Sequence, residues 1–576
     1  MSAPLRLDLV LLWHMHQPDF RDQTTGEFLQ PWVYLHALKD YSDMAAHLEA
    51  HPGVKAVVNL VPILLDQLED YAKQFEQVQF ARGPFDRGEL RDPLLRLLAH
   101  ENPDTLERRE RELLLDQCFR ANHVKMIEPY APYKQLRDLF DFAVAQGADH
   151  TRYLSGQYLA DLVTWYHLSW TGETVRREHE PVVRLMARGE GFTHAERMQL
   201  FTVIGTVIRD TVARYRRLAE SGRVELSTTP YFHPIGPLLL EFASAREAMP
   251  EAPLPHAECY PGGRTRLTWH LKRAQAAHAQ RFGAPAKGIW PAEGAISLPF
   301  CRLLAEQDAG WLASGEGVLA NSLRKCGLPA GNRFEYLYRP YRVGSSEQAL
   351  TCFFRDDRLS DLIGFEYKTW HGSDAARHFV QQLEEILEQA PAGQTPVVSV
   401  ILDGENAWEF YPYNGYYFLN ELYAALESHP SIRTTTFANV VSDAQHVPTV
   451  LPDVATGSWV YGNLATWIGS EDKNRAWELL VSAKQSYDLV LASGRLSVDE
   501  VEAAVHQLAV CEGSDWFWWF GDYNPRASVQ SFDRLFRAYL ANLYRLLKLE
   551  PPPQLAEPVS LGAAQAHTDG AMRRAA

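Results

Sequence analysis

Seven short runs of apolar residues, each followed by polar residues, recur along the first 402 positions of the chain. The runs cover residues 7–13, 54–61, 223–229, 287–290, 310–313, 351–354 and 397–402. Continuous apolar runs of this length are typical of strands buried on both faces of a parallel sheet. Because stretches with helical spacing separate the runs, the pattern predicts an α/β protein built on a parallel barrel or sheet.

Three further segments lack this strand pattern. Residues 64–221 are rich in Leu, Arg and Glu and predict a helical insertion after the second strand. Residues 418–550 again have helical spacing and predict a C-terminal helical domain that packs on a barrel formed by residues 1–417. Residues 551–576 are rich in Pro and Ala without a period, which predicts a disordered tail.

Composition and charge narrow the possible partners. The chain of 576 residues carries 56 Lys and Arg against 72 Asp and Glu, a net charge of −16 that would repel nucleic acid and anionic membranes. It lacks 18 consecutive apolar residues, so no membrane span is expected. The six cysteines form no C-x-x-C pair, and the amino end does not read as a signal peptide, so we expect a cytoplasmic protein. Aromatic residues are numerous, with 15 Trp, 25 Tyr and 26 Phe.

The first predicted strand ends in WHMHQP, which places His14 and His16 two residues apart. Alternation along an extended backbone sends both imidazoles to the same side. Two histidines so placed can bind a metal or contact the hydroxyl groups of a ligand. The alternative is an ordinary turn at the end of a strand, closed by Pro18.

The third strand carries Glu225 within an apolar run, and His233 follows in a loop held by Pro230 and Pro234. An ionised carboxylate in such a strand needs a partner. For Glu225 a structural ion pair and a ligand contact stay equally open. For His233 we favour a ligand contact.

Two acidic residues follow the fourth and seventh strands. Glu293 lies between Ala292 and Gly294 after a short strand, and Asp403 comes directly after VVSVIL. The carboxyl ends of parallel barrel strands converge on one face, so the two side chains are expected to meet. Partial burial would raise the pKa of Asp403. Cleavage of a glycosidic bond needs one carboxylate at the anomeric centre and a second group that protonates the leaving oxygen, which this pair can supply.

Five segments resemble, in order, the five motifs of glycoside hydrolase family 57. They are HMHQP at 14–18, STTPYFHPIGPLL at 227–239, GIWPAEGAIS at 288–297, ILDGENAWEFY at 401–411 and GSDWFWWFGD at 513–522. Four connecting segments resemble the amylopullulanase-like and α-amylase-like members rather than the branching enzymes: PWVYLHALKDY at 31–41, ASGEGVL at 313–319, FFRDDRLSDLIGF at 353–365 and SWVYGNLATWIG at 458–469. The resemblance covers residues 6–549.

This resemblance implies a (β/α)7 barrel, an incomplete TIM-like barrel, with a helical insertion and a C-terminal helical domain that completes the active site. It implies a retaining double displacement on α-1,4-glucans such as starch, glycogen and maltooligosaccharides, and it leaves cleavage of α-1,6 bonds open. Glu293 is then the nucleophile and Asp403 the acid/base, with no cofactor and no metal. The implied substrate-binding residues are His14, His16, Gln17, Trp32, Glu225, His233, Trp290, Glu316, Trp408, Asp515, Trp516 and Trp519.

The chain departs from the family pattern at one place. A common form of the ASGEGVL segment has an acidic residue where this chain has Gly315, so Glu316 is the sole carboxylate there. A family role for the missing carboxylate is therefore not carried over.

Three other functions stay open. A 4-α-glucanotransferase would use the same residues with an aromatic acceptor site and restricted access of water. A metal-dependent hydrolase, such as a deacetylase or a zinc mannosidase, would use His14 and His16 with a carboxylate. A glucan-binding protein would keep the fold without turnover, although both predicted carboxyl groups are present.

Overall fold

The computed structural model describes residues 6–80, 87–344 and 350–563. These residues contain ten strands, and the seven runs predicted from the sequence correspond to the first five, the seventh and the eighth. The strands are β1 (Leu7–Met15), β2 (Ala56–Leu60), β3 (Val224–Ser227), β4 (Gly288–Ile289), β5 (Trp311–Ser314), β6 (Tyr341–Val343), β7 (Leu350–Phe354), β8 (Val397–Asp403), β9 (Ile432–Thr435) and β10 (Thr449–Leu451).

The α-helices fall into four groups along the chain. Between β1 and β2 lie α1 (Trp32–His36) and α2 (Ser42–Ala50). Between β2 and β3 lie α3 (Pro62–Phe80), α4 (Pro93–Leu98), α5 (Arg108–Gln117), α6 (Ala131–Ala145), α7 (Gly156–Ser169), α8 (Glu173–Glu178), α9 (Glu180–Arg188) and α10 (His194–Glu220). The barrel then contributes α11 (Gly236–Leu240), α12 (Gly263–Phe282), α13 (Leu298–Ala305), α14 (Glu316–Lys325), α15 (Arg333–Tyr336), α16 (Asp357–Asp361) and α17 (Gly372–Gln389). The last group is α18 (Tyr416–Ser428), α19 (Phe437–Ser442), α20 (Glu471–Ala492), α21 (Val498–Cys511), α22 (Asp515–Trp519) and α23 (Arg526–Leu546).

Seven parallel strands close into a barrel. One ladder runs β3-β2-β1-β8, and a second joins β7, β5 and β4. Parallel bridges between Thr228 and Ile289 and between Arg355 and Ser399 connect the two ladders at both ends. The order is therefore β1-β2-β3-β4-β5-β7-β8 and back to β1, which confirms the predicted (β/α)7 barrel.

Side-chain alternation on β1 separates two apolar layers. Val10 and Leu12 join a small cluster with Trp290 and Trp311, whereas Leu9 and Leu11 belong to the large cluster that includes the surrounding helices. Successive strand residues point to opposite faces. The small cluster therefore fills the barrel interior, and the large cluster packs the helices against the outside of the barrel.

The other three strands depart from the prediction. β6 pairs antiparallel with β7 and parallel with β10, which extends the sheet past the barrel. β9 pairs with Leu7–Val10 of β1. One edge of β1 pairs with β8. On the other edge, β9 pairs with the first part of β1 and β2 pairs with the last part. The chain therefore returns to the barrel after α18. The boundary predicted at residue 417 therefore does not coincide with the end of the sheet.

The predicted disordered tail is wrong for residues 551–563. A 3₁₀ turn forms at Pro553–Ala556, and Leu555 and Val559 are buried. The backbone N–H of Val559 donates to Asp533 Oδ1 at 2.6 Å, so this segment folds back onto α23. Residues 564–576 lie outside the described residues.

None of the described helices combines the length and the apolar character that crossing a lipid bilayer requires.

Candidate active site

A cavity of about 490 Å³ lies where β1, β4 and β8 end. Its wall combines barrel loops, the insertion at residues 120–122 and the C-terminal helices α22 and α23. Nine of the site residues predicted from the sequence line it: His14, His16, Gln17, Trp32, His233, Glu293, Asp403, Asp515 and Trp519.

Glu293 lies in a 3₁₀ turn immediately after β4, with φ 59° and ψ 21°. A residue with a Cβ rarely takes this left-handed conformation, and such strain is concentrated at functional sites. Two contacts from one residue hold it: the backbone N–H of Trp459 donates to Glu293 O at 3.0 Å, and Trp459 Nε1 donates to Glu293 Oε2 at 3.0 Å. The second oxygen, Oε1, lies 3.9 Å from His233 Nδ1, beyond hydrogen-bond distance.

Asp403 is the last residue of β8 and pairs in register with His14 of β1. Its Oδ2 accepts a hydrogen bond from Asn406 Nδ2 at 2.8 Å. Burial raises the pKa of Asp403, and the Asn406 bond and the nearby His16 and Arg355 only partly offset this effect. The protonated carboxyl group is therefore favoured to a higher pH than in a solvated aspartate.

Three imidazoles stack beside the two carboxyl groups. The rings of His16 and His233 lie 3.9 Å apart at 21°, and the ring of His14 lies 5.1 Å from that of His233. A hydrogen bond with a neighbouring side chain orients each ring. His14 Nδ1 bonds Asn59 Oδ1 at 2.7 Å, His16 Nε2 bonds Asp515 Oδ1 at 2.8 Å, and His233 Nδ1 bonds Ser514 Oγ at 2.8 Å.

Burial controls the charge of two of these rings. It lowers the pKa of His14 to about 3, with a smaller contribution from His16. Burial also lowers the pKa of His233 well below its usual value, with further lowering by His16 and His14. Both rings are neutral near pH 7, so each has one N–H and one acceptor nitrogen. Because His14 Nδ1 donates to the Asn59 carbonyl oxygen, His14 Nε2 is left as an acceptor, whereas His233 Nε2 is a donor or an acceptor according to the direction of the bond to the Ser514 hydroxyl.

Three tryptophans predicted to shape the site do not reach the cavity. Trp290 is fully buried in the barrel interior, where it packs edge-on against Trp459. Trp408 is buried against Trp13 and donates to Gly404 O. Trp516 is buried among Phe532, Phe536 and Tyr539 of α23. Their large apolar surfaces favour the core over an aqueous cleft, so the prediction is corrected for all three.

Glu225 and Glu316 also lie away from the cavity. Glu225 accepts hydrogen bonds from Trp311 Nε1 at 2.7 Å and from the Ala438 N–H at 2.9 Å, which satisfies its carboxylate inside the protein. Glu316 forms a two-pronged ion pair with Arg333, both contacts at 2.6 Å. Each has a structural partner, which corrects their assignment to substrate binding.

Sequence reasoning missed several residues that the structure brings to the cavity. Trp459 lies in the SWVYGN segment, whose resemblance to the family indicates no role for any single residue. Arg355 lines the cavity from the end of β7, bonds the Ile401 carbonyl at 2.9 Å and lies over the Trp459 ring. Glu405, for which the sequence favours bracing a loop over contact with sugar, is buried and accepts the His16 N–H at 3.1 Å. Burial, reinforced by Asp403, raises the pKa of Glu405 well above its usual value.

One group among the described residues has the composition of a metal site. His16, His233 and Asp515 can each offer a ligand atom, and these atoms lie within 4.8 Å of one another. His14 does not belong to this group. The His16 and His233 rings are stacked, so their lone pairs lie in nearly parallel planes, and His16 Nε2 already bonds Asp515. This arrangement favours a hydrogen-bonded pair over convergent metal ligation.

A closed parallel barrel with two carboxyl groups and an aromatic wall in one cavity defines a carbohydrate-active barrel enzyme. The model of glycosyl hydrolase family 57 matches residues 10–455, and the chain belongs to that family. A search of curated proteins finds no match.

Solved structures agree with this fold. A branching enzyme of the same family from Thermococcus kodakaraensis is 15% identical, with a TM-score of 0.56, over 93% of this chain and 89% of that chain. The α-amylase AmyC from Thermotoga maritima is 13% identical, with a TM-score of 0.55, over 96% and 94%. The 4-α-glucanotransferase from Thermococcus litoralis is 13% identical, with a TM-score of 0.50, over 94% and 60%. At such identities the likeness defines the fold, and the predicted amylopullulanase-like branch stays a prediction.

Proposed function

We propose that this protein is a retaining glycosidase that acts on α-1,4-linked glucans such as starch, glycogen and maltooligosaccharides. The observation that carries the proposal is that Glu293 and Asp403 line one cavity in different environments. Glu293 is oriented by the indole N–H of Trp459, and burial raises the pKa of Asp403. A nucleophile and an acid require this division of roles.

In the first step, Glu293 attacks the anomeric carbon of a bound glucose unit. The bond from that carbon to the glycosidic oxygen breaks, and Asp403 transfers its proton to the departing oxygen. The products are a covalent glycosyl ester on Glu293, an ionised Asp403 and the released chain end.

In the second step, Asp403 removes a proton from a water molecule or from the hydroxyl group of an acceptor sugar. The deprotonated oxygen attacks the anomeric carbon from the side that the first chain left, and the ester bond to Glu293 breaks. The sugar therefore keeps its original anomeric configuration, and both carboxyl groups return to their starting state.

The histidines fit the task of holding a neutral sugar at the cleavage point. Neutral His14 can accept a hydrogen bond from a hydroxyl group at Nε2, because its Nδ1–H is donated to Asn59. His233 Nε2 is buried with no hydrogen-bond partner among the described residues and can bond a second hydroxyl group. Trp32 and Trp519 give the cavity wall flat apolar surfaces for sugar rings. A neutral ligand suits a chain of net charge −16.

The proposal is tested with Glu293→Gln and Asp403→Asn on maltoheptaose. We expect Glu293→Gln to lose turnover by a factor of about 10⁴ or more while maltoheptaose still binds, because the nucleophile is absent. Glu316→Gln is the matched control, since its carboxylate pairs with Arg333 away from the cavity. Unchanged turnover in Glu293→Gln, or inversion of the anomeric product by proton NMR, would contradict the assignment.

A second candidate, a 4-α-glucanotransferase, uses the same two residues. It is favoured by the aromatic wall, because a sugar acceptor competes best with water in a site with apolar surfaces. The aromatic residues of this wall are Phe20, Trp32, Trp170, Phe365, Phe410, Trp459, Trp518, Trp519 and Phe532.

Products from maltotetraose and pullulan separate these functions. Longer oligosaccharides from maltotetraose indicate transfer, whereas glucose and maltose alone indicate hydrolysis. Maltotriose from pullulan indicates cleavage of α-1,6 bonds. A wild-type protein that binds maltoheptaose without any product would instead identify a glucan-binding protein.

A further inference from the structure

Two exposed tyrosines have a backbone conformation that a bulky residue rarely adopts. Among the described residues, seven other than glycine have positive φ: His233, Glu293, Asp308, Tyr413, Asn414, Tyr461 and Lys548. His233 and Glu293 belong to the active-site cavity. Tyr413 and Tyr461 are 58% and 47% exposed, although burial is the usual place for an aromatic ring.

Tyr461 follows directly after two cavity residues, Trp459 and Val460. Its turn is held by close backbone packing, because a Cβ placed on Gly317 would lie 2.9 Å from Gly462 Cα. In addition, Asn321 Nδ2 donates to Gly462 O at 3.0 Å. The φ of 56° at Tyr461 is therefore imposed by fixed neighbours, and Tyr461 extends the segment that contacts Glu293.

Tyr413 lies in the segment that follows β8, three residues after Phe410 of the cavity wall. The next residue, Asn414, also has positive φ and is held from both sides. Lys39 Nζ donates to Asn414 Oδ1 at 2.9 Å, and Asn414 Nδ2 donates to Asp43 Oδ2 at 2.8 Å. This network fixes the turn, so Tyr413 keeps its place at the surface.

The Tyr413 ring has an aromatic neighbour. It meets the ring of Tyr417, 48% exposed, edge to face at 5.4 Å. Arg177 of α8 lies over Tyr416 and bonds the Tyr417 hydroxyl at 3.1 Å, which ties this surface to the insertion. Rings and a guanidinium group side by side suit a ligand with apolar ring faces and many hydroxyl groups.

From these observations we propose that Tyr413 and Tyr461 are remote binding platforms for the glucose units of a long α-glucan chain that extends beyond the cavity. The inference rests on the proposed function for its ligand class. Each tyrosine continues a cavity-lining segment: Tyr461 follows Trp459 and Val460, and Tyr413 follows Glu409 and Phe410. Strain together with exposure of an aromatic ring lowers stability at both positions, and contact with a ligand gives that combination a function.

The experiment uses Tyr413→Gly and Tyr461→Gly in the full chain. Glycine takes positive φ without strain, so both variants should fold and melt at or above the wild-type temperature. KM is measured on glycogen and on maltotriose. We expect KM on glycogen to rise about 5- to 10-fold. KM on maltotriose should change much less, because the proposal places both platforms beyond the cavity that holds a short substrate.

Two further variants complete the design. Tyr413→Phe keeps the ring and should stay close to the wild type on glycogen. Tyr153→Ala is the matched control, because Tyr153 is 71% exposed but does not continue a segment that lines the cavity, so both KM values should be unchanged.

The outcomes separate this inference from the proposed function. If the wild type cleaves maltotriose and glycogen and both Gly variants retain the wild-type KM on glycogen, the platforms are refuted and the proposed function stands. If the wild type neither binds nor cleaves either glucan, the proposed function fails. A change of mass in sedimentation for the Gly variants would identify a contact between copies of this chain and would overturn the inference.

Discussion

Replacing Trp459 by phenylalanine removes one hydrogen bond from Glu293 and keeps most of the aromatic packing. The indole Nε1 donates to Glu293 Oε2 at 3.0 Å, and its ring packs against Trp290 and lies under Arg355. The backbone bond from the Trp459 N–H to Glu293 O is unaffected. The substitution therefore tests the orientation of one carboxylate oxygen.

The expected magnitude follows from the strength of that bond. A hydrogen bond to a charged group contributes about 1.5–3 kcal/mol. If it holds Glu293 in the attacking geometry, its loss appears in the barrier and lowers kcat by about 10- to 150-fold. KM should change little, because the sugar contacts of the wall remain.

The assay is initial-rate cleavage of maltoheptaose, with the melting temperature recorded for each variant. Trp467→Phe is the matched control, since Trp467 is buried outside the cavity. That variant can lose stability but should keep kcat. A Trp459→Phe enzyme that melts like the wild type and loses less than about threefold in kcat would refute the orienting role.

Three other predictions concern protons, charge and metal. The hydrogen bond from the Asn406 amide favours the ionised form of Asp403. Asn406→Ala should therefore raise the pKa of Asp403 and move the alkaline limb of the pH profile of kcat/KM to higher pH. A shift of that limb to lower pH would contradict this prediction. Burial opposes ionisation of Glu512, but Arg266 and His270 outweigh it and hold the pKa of Glu512 at about 2, below its usual 4.5. The ion pairs of ionised Glu512 therefore stabilise the fold above pH 4.5, and this contribution is lost as the pH falls towards 2. Glu512→Gln should make the melting temperature depend less on pH between 4.5 and 2, and it should lower the free energy of unfolding at pH 7 by about 3–5 kcal/mol. Dialysis against EDTA should leave kcat unchanged and the protein should contain no stoichiometric metal, whereas activity restored only by added zinc would favour the metal-dependent alternative.

The strands could be predicted because burial on both faces leaves a plain signal. Seven of the nine residues of β1 and five of the seven residues of β8 are apolar, the exceptions being Asp8, His14, Ser399 and Asp403, and the apolar pattern predicts both strands. β6, β9 and β10 are three or four residues long, and the first two carry Arg342 and Arg433 at exposed positions. Such strands form through their neighbours in the sheet rather than through their own composition.

The site could be predicted where register alone decides the geometry. His14 and Asp403 lie at the ends of adjacent strands and are paired with each other, so barrel topology brings them together. The same reasoning does not separate tryptophans that are buried in the core from tryptophans that line the cavity. Trp290 and Trp459 belong to segments that match the family equally well, yet Trp290 is buried in the barrel interior and Trp459 lines the cavity. Only the packing of the whole chain decides which indole meets the ligand.

The segment from Glu512 to Asp515 links the C-terminal helices to the chemistry of the barrel. Glu512 is buried at the end of α21 and bonds Arg266 and His270 of α12, each at 2.8 Å. The two residues at the other end, Ser514 and Asp515, orient His233 and His16.

A chain that ends at residue 417 would lose both histidine partners together with Trp519 of the cavity wall. It would also leave the buried Arg266 without its carboxylate, which costs stability as well as activity. We therefore expect the barrel segment alone neither to fold stably nor to cleave maltoheptaose. We therefore propose that the barrel and the C-terminal helices together form the catalytic unit.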